Sequence, residues 1–160
     1  MVTEAQVYAA LESVKDPEIP VISVVDLGVI SGVHIAPDGA TTVQLTPTFA
    51  GCPAIAHMSA DIVTQLGAVG IAPVTVDVRY NEPWSTNKIT PRGRQLLKDF
   101  GLSPPPAFDG ILSLEVLANA MCPNCGSNNT FMMSPFGPTA CRAIHHCRNC
   151  KETFEQFKPL

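Results

Sequence analysis

Apolar residues recur at helical spacing in three stretches of the chain, and each stretch is predicted to form a helix. The predicted helices cover residues 3–15, 53–66 and 90–100. Proline suits the first position of a helix, so Pro53 places Cys52 at the cap of the second helix. The residues expected to face the core are Val7, Ala10, Leu11 and Val14 in the first helix, Ile55, Met58, Ile62, Val63 and Leu66 in the second, and Leu96, Leu97 and Phe100 in the third.

Shorter apolar runs between these helices indicate β-strands, which are expected at residues 29–35, 41–45 and 74–78. Asp38-Gly39 lies between the first two runs, and an Asp-Gly pair in that position is typical of a β-hairpin. The order αββαβα predicts an α+β fold of two layers. Its mixed sheet would carry the helices on one side and span residues 1–103.

The pattern changes after the prolines at 104–106, which form a short, stiff linker. Residues 111–120, 130–133 and 153–157 are expected to be strands. We therefore predict a second module over residues 104–160. A module of this size is too small to fold on an apolar core alone, and it requires a metal.

Charge and composition narrow the classes of function. The net charge is −4, and acidic residues outnumber basic ones ten to six in residues 1–103, with four of each in the remainder. No basic stripe is available to neutralise phosphates, so no nucleic-acid partner is expected. No apolar run is long enough to span a membrane and no signal peptide is visible, so no membrane partner is expected either. With unpaired cysteines, these features predict a cytoplasmic protein.

Two Cys-x-x-Cys pairs, with 21 residues between them, dominate the C-terminal module. The four cysteines are Cys122, Cys125, Cys147 and Cys150. This arrangement predicts a four-cysteine metal site in a zinc-ribbon-like module, with zinc as the first choice and iron as the alternative. The other interpretations are a pair of disulfides, which would need an oxidising compartment, and buried thiols that merely pack.

Cys141 is left over once the two pairs hold the metal, and it is a candidate extra ligand, a redox partner or a spare thiol. His145 and His146 precede Cys147 and could also ligate a metal. Four sulfurs already complete a zinc shell, however, so neither histidine is needed.

Cys52 is the one cysteine outside this module. Amide groups and the dipole of a helix N-terminus stabilise a thiolate, which could bind a metal, accept a persulfide or attack a substrate. A small buried apolar residue is the alternative interpretation. A nucleophilic enzyme normally places a base beside its thiol, and neither His34 nor His57 is well placed for that role. No independent catalytic constellation is predicted.

Three acidic residues, Asp16, Glu18 and Asp26, cluster in the loop before the first strand. They could join Cys52 in a mixed metal site or shape its hydrogen bonds, although capping of the loop is the simpler interpretation. The loop at 81–86 holds the only tryptophan, Trp84, and follows the third strand. Strand ends and helix starts meet at one edge of such a sheet, so this loop could line the same site or merely cover the core.

Together, these segments resemble a known family. Asp16-Pro-Glu-Ile-Pro, Asp26-Leu-Gly and Thr46-Pro-Thr-Phe-Ala-Gly-Cys-Pro resemble the metal–sulfur cluster biosynthetic domain of SufT-like assembly factors. With Glu82-Pro-Trp and the four-cysteine ribbon, the chain resembles the PaaD-like (PaaJ-like) proteins of the phenylacetyl-CoA epoxygenase system. It departs from the family pattern after the tryptophan, where Asn87 stands in place of a carboxylate.

The resemblance implies a role in maturing metal centres, with Cys52 as the reactive cysteine that transiently handles iron or an iron–sulfur cluster. Asp16, Glu18 and Asp26 would support that site. The partners implied are the reductase or oxygenase subunits of the epoxygenase, in phenylacetate degradation. Pairing of two chains into a homodimer, which would supply a second Cys52, stays open. The alternative is an integral structural or catalytic subunit of the complex, although the chain lacks the Glu-x-x-His motif of a di-iron site.

Overall fold

The computed structural model describes residues 1–108, 111 and 113–160, and these residues form two compact units. The first unit covers Met1–Thr90 and the second Pro91–Leu160. The predicted boundary lay after residue 103. The stretch from residue 91 to residue 103 instead belongs with the ribbon, because residues 102 and 103 pair there with the last strand.

The first unit contains two helices and three strands, and it has the predicted α+β architecture. In chain order they are α1 (Glu4–Leu11), β1 (Ile30–Ile35), β2 (Thr41–Leu45), α2 (Ala54–Ala68) and β3 (Val74–Val78). A short 3-10 helix, Thr86–Lys88, follows β3. α1 and α2 contact each other, and they also contact β1 and β3, respectively. The third predicted helix lies in the second unit.

The first sheet has the order β1-β2-β3 and mixes the two strand directions. β1 and β2 form the predicted antiparallel hairpin, in which Gly39 turns the chain at a φ of +90°. β2 and β3 run parallel, with Leu45 opposite Val78, and α2 makes the crossover between them. The carboxyl ends of β2 and β3 therefore lie side by side, next to the start of α2.

The core of the first unit follows from the periodicity of its sequence. Alternate residues of β2 are buried. The side chain of Thr3 accepts a hydrogen bond from the N–H of Gln6, and the side chain of Gln6 accepts one from the N–H of Thr3. Together they form a capping box at the start of α1. In α2, four of the five predicted core residues are buried, whereas Val63 is 44% exposed. Val63 lies at the border of the apolar stripe, where periodicity predicts orientation least well.

The second unit is built on a sheet of four strands in the order β4-β7-β6-β5. Its elements are α3 (Pro91–Asp99), β4 (Leu102–Ser103), α4 (Leu114–Ala118), β5 (Thr130–Ser134), β6 (Arg142–Cys147) and β7 (Thr153–Phe157). β5, β6 and β7 form an antiparallel meander, and β4 adds to β7 in parallel. The predicted strands at 130–133 and 153–157 are confirmed.

Two predictions for the second unit were wrong. The stretch 111–120 was predicted as a strand, but its described residues include a helix, α4, which Ser113 caps by accepting a hydrogen bond from Val116. Residue 112 lies outside the described residues. Phe100 was expected in the core but is 43% exposed, because α3 ends at Asp99 and Gly101 turns the chain at a φ of +93°.

Candidate metal centre and the Cys52 loop

The sulfur atoms of Cys122, Cys125, Cys147 and Cys150 all lie within 4.8 Å of one another. Two of the distances, Cys122–Cys150 and Cys125–Cys147, are 3.6 Å. In the part of the chain that is described, this is the one group of three or more potential ligands that could hold a metal ion. None of the six cysteines, all of which are described, is in a disulfide.

Both Cys-x-x-Cys turns have the same local construction. In the first, the N–H of Gly126 donates to the carbonyl of Cys122 at 2.9 Å; in the second, the N–H of Lys151 donates to the carbonyl of Cys147 at 2.9 Å. The donor residue has a left-handed backbone in each turn, with φ of +75° at Gly126 and +69° at Lys151. The turns therefore present their two sulfurs in equivalent ways, one turn before β5 and the other after β6.

The surroundings of the sulfurs differ between the buried and the exposed members. The side-chain amide of Asn149 donates to the sulfur of Cys125 at 3.6 Å, and with a backbone N–H at Ser127 it lowers the pKa of that thiol to about 6. The side chain of Asn124 lowers the pKa of Cys150. Burial raises the pKa of Cys122 to about 11. Cys122 and Cys147 pack with Ala120 and Phe154 in an apolar cluster beneath the site.

The donor set fits a tetrahedral metal ion. A zinc ion with four sulfurs at about 2.3 Å separates the sulfurs by roughly 3.8 Å, close to the two 3.6 Å distances and below the 4.8 Å limit of the group. Four soft thiolates would hold the ion, and neighbouring side-chain amides lower the pKa of two of the four thiols, Cys125 and Cys150. All four positions of a tetrahedral ion would be occupied, which is the arrangement of a structural site.

The leftover cysteine and the two histidines lie outside this sulfur group. Cys141 is buried, and its sulfur lies 3.1 Å from the hydroxyl of Thr139. It precedes β6, whereas Cys147 ends that strand, so the rise of an extended chain separates their backbones by about 20 Å. His145 is fully buried against Phe154, and burial lowers its pKa. His146 bonds through Nδ1 to Thr153 at 3.1 Å.

Cys52 is half-buried and lies at the end of the loop that joins β2 to α2. The helix cap is Pro53 rather than Cys52, so the thiol precedes the cap by one residue. The carbonyl of Cys52 accepts a hydrogen bond from Ile55 at 3.3 Å, which fixes the residue on the first turn of the helix. No side chain caps α2, and its first turn contains no acidic residue.

The loop that carries Cys52 begins at Thr46, a buried residue that joins three segments of the chain. Its N–H donates to the carbonyl of Val29 at 2.7 Å, and its hydroxyl donates to the carboxylate of Glu82 at 3.5 Å. Glu82 also lies 3.6 Å from the guanidinium of Arg79, which follows β3. The edge of the sheet at the carboxyl ends of β2 and β3 therefore gathers the segments before β1, after β2 and after β3.

The acidic residues of the first loop hold the backbone of that loop. Asp16 accepts hydrogen bonds from the N–H groups of Glu18 at 2.7 Å and Ile19 at 3.0 Å. Asp26 accepts hydrogen bonds from the hydroxyl of Ser23 at 3.2 Å and from that of Thr90 at 2.6 Å. Asp16 and Asp26 are buried, whereas Glu18 is half-buried. These contacts stabilise the loop next to β1.

Trp84 packs against the turn at residues 26–28. Its indole N–H lies 3.2 Å from the carbonyl of Leu27 and 3.1 Å from that of Gly28, and the residue is only 7% exposed. Gly28 has a φ of +73°, and a Cβ there would lie 2.4 Å from the carbonyl oxygen of Lys88. The loop from Glu82 to Thr90 is thus fastened onto the turn at 26–28.

Comparison with known proteins places both parts of the chain in families. Residues 113–158 match the PaaD zinc beta ribbon domain, and residues 4–78 match the family described as iron-sulfur cluster assembly protein. A protein of Escherichia coli (strain K12), named as a putative subunit of 1,2-phenylacetyl-CoA epoxidase, is 36% identical over 153 residues, which cover 96% of this chain and 91% of the relative. The chain belongs to the PaaD family.

Several shorter proteins also match part of this PaaD-family chain. A Porphyromonas gingivalis protein named "Fe-S protein maturation auxiliary factor" is 35% identical over 89 residues, 55% of this chain and 84% of the relative. Among solved structures, a domain of unknown function from Bacillus anthracis superposes with a TM-score of 0.55 at 28% identity, over 59% of this chain and 90% of that one. A conserved hypothetical protein from Thermotoga maritima superposes with a TM-score of 0.52 at 27% identity, over 63% of this chain and 96% of that one.

Sequence reasoning missed three residues of the Cys52 edge. Thr46, Arg79 and Thr90 were not singled out as site residues, although Thr46 and Thr90 each bond to a distant segment and Arg79 forms an ion pair with Glu82, three residues further on. Thr46 and Thr90 carry a weak signal, because each is a hydroxyl residue followed by proline at the border of an element.

Among the described residues, no helix combines the length and the apolar character needed to cross a membrane.

Proposed function

We propose that the chain is an accessory protein that handles iron or an iron–sulfur cluster as cargo at Cys52. The cargo would be destined for a metal centre of a phenylacetyl-CoA epoxidase system. The observation that carries this proposal is the convergence at Thr46: the loop of Cys52 is bonded to Val29 and Glu82, so the acidic turn, the cysteine loop and the Glu-Pro-Trp loop meet at one edge. Relatives named as maturation factors match 55% and 52% of this chain, and the family described as iron-sulfur cluster assembly protein matches residues 4–78, within this first unit.

The chemistry of Cys52 suits transient binding. The thiol is half-buried beside the N-terminus of a helix that no side chain caps. Helix N-termini stabilise negative charge, so a thiolate there is favoured as a ligand. A single sulfur holds a soft metal weakly enough to release it, in contrast to the closed four-sulfur site. Asp16 and Asp26 support the site by holding the neighbouring turns, and Glu18 belongs to the turn that Asp16 holds.

The four-cysteine site has a separate role, as a structural zinc site. Cys122, Cys125, Cys147 and Cys150 would hold the ion, and burial of Cys122 and Cys147 with Phe154 links it to the small core of the ribbon. Bound zinc would supply folding free energy and no reaction step, because a ribbon of this size has little apolar core of its own. Cys141 is not required as a ligand.

The name of the E. coli relative favours a second candidate, an integral subunit of the epoxidase complex. Oxygenase chemistry of this kind needs a carboxylate-bridged iron pair. Among the described residues, the one potential metal group consists of cysteines, so this chain would contribute structure rather than the reacting centre.

One experiment separates the two candidates. The reductase and oxygenase subunits are purified with their metals already loaded, and turnover of phenylacetyl-CoA is measured with and without this chain. Full turnover without the chain supports an accessory role, whereas no turnover identifies an essential subunit. A second arm begins with apo subunits. The wild-type chain should then restore turnover, while Cys52→Ser should not, and equal rescue by the two proteins rejects the role of Cys52.

A further inference from the structure

The four cysteines of the metal site differ in their access to solvent. Cys122 and Cys147, the first cysteine of each Cys-x-x-Cys turn, are fully buried, and they pack with Phe154 beneath the site. The second cysteine of each turn is more accessible, since Cys125 is exposed and Cys150 is half-buried. We call Cys122 and Cys147 the inner cysteines and Cys125 and Cys150 the outer cysteines.

Each outer cysteine lies against the inner cysteine of the other turn. The sulfur of Cys125 lies 3.6 Å from that of Cys147, and the sulfur of Cys150 lies 3.6 Å from that of Cys122. Sulfur atoms at this distance are in contact, so a thiolate can attack its neighbour directly once the neighbour has been oxidised. A disulfide formed in this way would join the two turns.

Cys125 is the sulfur at which a reaction from solvent would begin. Four sulfurs fill all the positions of a tetrahedral zinc ion, so a small molecule that approaches the loaded site meets a sulfur rather than the ion. Susceptibility of a cysteine to oxidation follows its thiolate character and its exposure. All four cysteines would be thiolates on zinc, but Cys125 alone among them is exposed. Cys125 therefore meets both requirements.

Within the second unit, one further cysteine lies outside the site. Cys141 is buried with its sulfur 3.1 Å from the hydroxyl of Thr139, and the length of β6 separates its backbone from that of Cys147 by about 20 Å. Cys141 is therefore too distant to react with an oxidised Cys125. The partner that the geometry supplies is Cys147, at contact distance.

We propose that Cys125 and Cys147 form a peroxide-sensitive pair, in which Cys125 is oxidised first and Cys147 resolves it. The thiolate of Cys125 attacks one oxygen of hydrogen peroxide, the O–O bond breaks, and a sulfenic acid forms while hydroxide leaves. The thiolate of Cys147 then attacks that sulfur, the S–O bond breaks, and a disulfide forms as a second hydroxide leaves. The two sulfurs lose two electrons in total, the two peroxide oxygens gain them, and two protons from solvent convert the hydroxides to water.

This disulfide would remove half of the ligands of the metal site. Cys122 and Cys150 would remain as thiolates, and two sulfurs do not complete a tetrahedral shell. The ribbon would therefore release its zinc and lose the folding free energy that the metal supplies, until a dithiol reduced the disulfide. The inference goes beyond the proposed function, because it concerns the ribbon and does not involve Cys52.

The test uses the full-length, zinc-loaded chain with Cys52→Ser and Cys141→Ser combined, so that the cysteines of the site are the only ones left. Neither replaced residue belongs to the sulfur group, so this variant should contain as much zinc as the wild type. One equivalent of hydrogen peroxide is added, zinc release is followed with a colour-changing chelator, and the disulfide is mapped by mass spectrometry. A parallel sample without peroxide is the control.

Digestion with trypsin distinguishes the possible disulfides. Cleavage after Arg148 places Cys147 and Cys150 on different peptides, and Cys122 and Cys125 stay together on a third. Fragmentation of the third peptide shows which of its two cysteines carries the bond.

We expect the peroxide-treated chain to lose its zinc, with a disulfide between Cys125 and Cys147, and we expect dithiothreitol to restore zinc binding. A disulfide that joins any other pair of cysteines would overturn the proposal. Retention of zinc by the treated chain, or a loss of zinc that dithiothreitol does not reverse, would overturn it as well.

A second measurement tests the entry point separately. N-ethylmaleimide, added to the zinc-loaded chain at less than one equivalent, should label Cys125 before either inner cysteine, because Cys125 is exposed. Earlier labelling of Cys122 or Cys147 would contradict the proposed order of reaction. Failure of either test leaves the proposed function intact, since the tested chain lacks the thiol of Cys52, whereas iron binding tests that thiol alone.

Discussion

The hydroxyl of Thr90 donates a hydrogen bond to the buried carboxylate of Asp26 at 2.6 Å, across 64 positions of the chain. The N–H of Thr90 donates to the backbone carbonyl of Asp26 as well, at 2.9 Å. These two bonds close the loop that begins at Glu82 over the turn that precedes β1. Since Glu82 also bonds to Thr46, the same closure positions the loop of Cys52.

Removing the hydroxyl tests this closure. Thr90→Val should lower the free energy of unfolding by about 2 kcal/mol, because it leaves a buried carboxylate with one donor fewer. Thr64→Val is the matched control, because the exposed hydroxyl of Thr64 bonds to the carbonyl of Ala60 in the same helix at 2.9 Å, and the effect of this change should stay within about 0.5 kcal/mol. Chemical denaturation of both variants gives the comparison. Equal effects would mean that the Thr90–Asp26 bond contributes nothing specific.

The turn at Gly28 should tolerate no side chain. Gly28→Ala combines a left-handed backbone with a Cβ that would lie 2.4 Å from the carbonyl of Lys88, so we expect a loss of about 3 kcal/mol or more. Gly67→Ala is expected to stabilise the protein by up to about 1 kcal/mol, because Gly67 is helical and a Cβ there meets nothing within 4 Å. Thermal unfolding measures both changes, and a neutral Gly28→Ala would contradict the packing described.

The four-sulfur site should be necessary for the ribbon but not for the first unit. Cys125 is exposed, so Cys125→Ser removes a ligand with little loss of packing. This variant should lose its metal, and limited proteolysis should then cut the second unit while the first survives. Cys141→Ser should keep the metal, since Cys141 lies outside the sulfur group. Elemental analysis measures the metal content of the two variants. Full metal retention by Cys125→Ser would reject the proposed ligand set.

Asn149 should set the lowest pH at which the site keeps its metal. Its amide, together with a backbone N–H at Ser127, lowers the pKa of Cys125 to about 6, so the thiolate persists down to about that pH. Asn149→Ala removes the donor and raises that pKa. Protons then compete with the metal at higher pH, and the midpoint of acid release should move upward. Metal affinity at neutral pH should fall by about tenfold.

A chelator that changes colour on binding zinc follows the release. Asn128→Ala, at an exposed position of the same module, is the control and should release zinc as the wild type does. Identical release curves for the two variants would show that the Asn149 contact is without effect.

Local patterns predicted most of the elements, because those elements depend on residues close in sequence. The hairpin at Asp38-Gly39, α2 and β3 follow from turn chemistry and periodicity. The grouping of the four candidate ligands follows from the spacing of the cysteines, since each Cys-x-x-Cys turn fixes two sulfurs by itself. The membership of the PaaD family was also recognisable from the motifs.

Partners distant in sequence could not be predicted in the same way. α3 has the pattern of a helix wherever it packs, so its place in the second unit depends on the pairing of β4 with β7, more than 50 positions further along the chain. α4 was predicted as a strand because a short apolar segment is compatible with either a helix or a strand. Its apolar residues are Leu114, Val116 and Leu117. The bonds of Thr46 and Thr90 depend on the tertiary fold, which one sequence does not reveal.

The central claim is that Cys52, and not the ribbon, handles iron. Its most direct test is elemental analysis of protein purified without oxygen and incubated with ferrous iron and sulfide, for the wild type, Cys52→Ser and Cys141→Ser. We expect all three to contain equal zinc, and the wild type and Cys141→Ser to bind iron that Cys52→Ser does not bind. Equal iron in Cys52→Ser and the wild type, with zinc unchanged, would contradict the account.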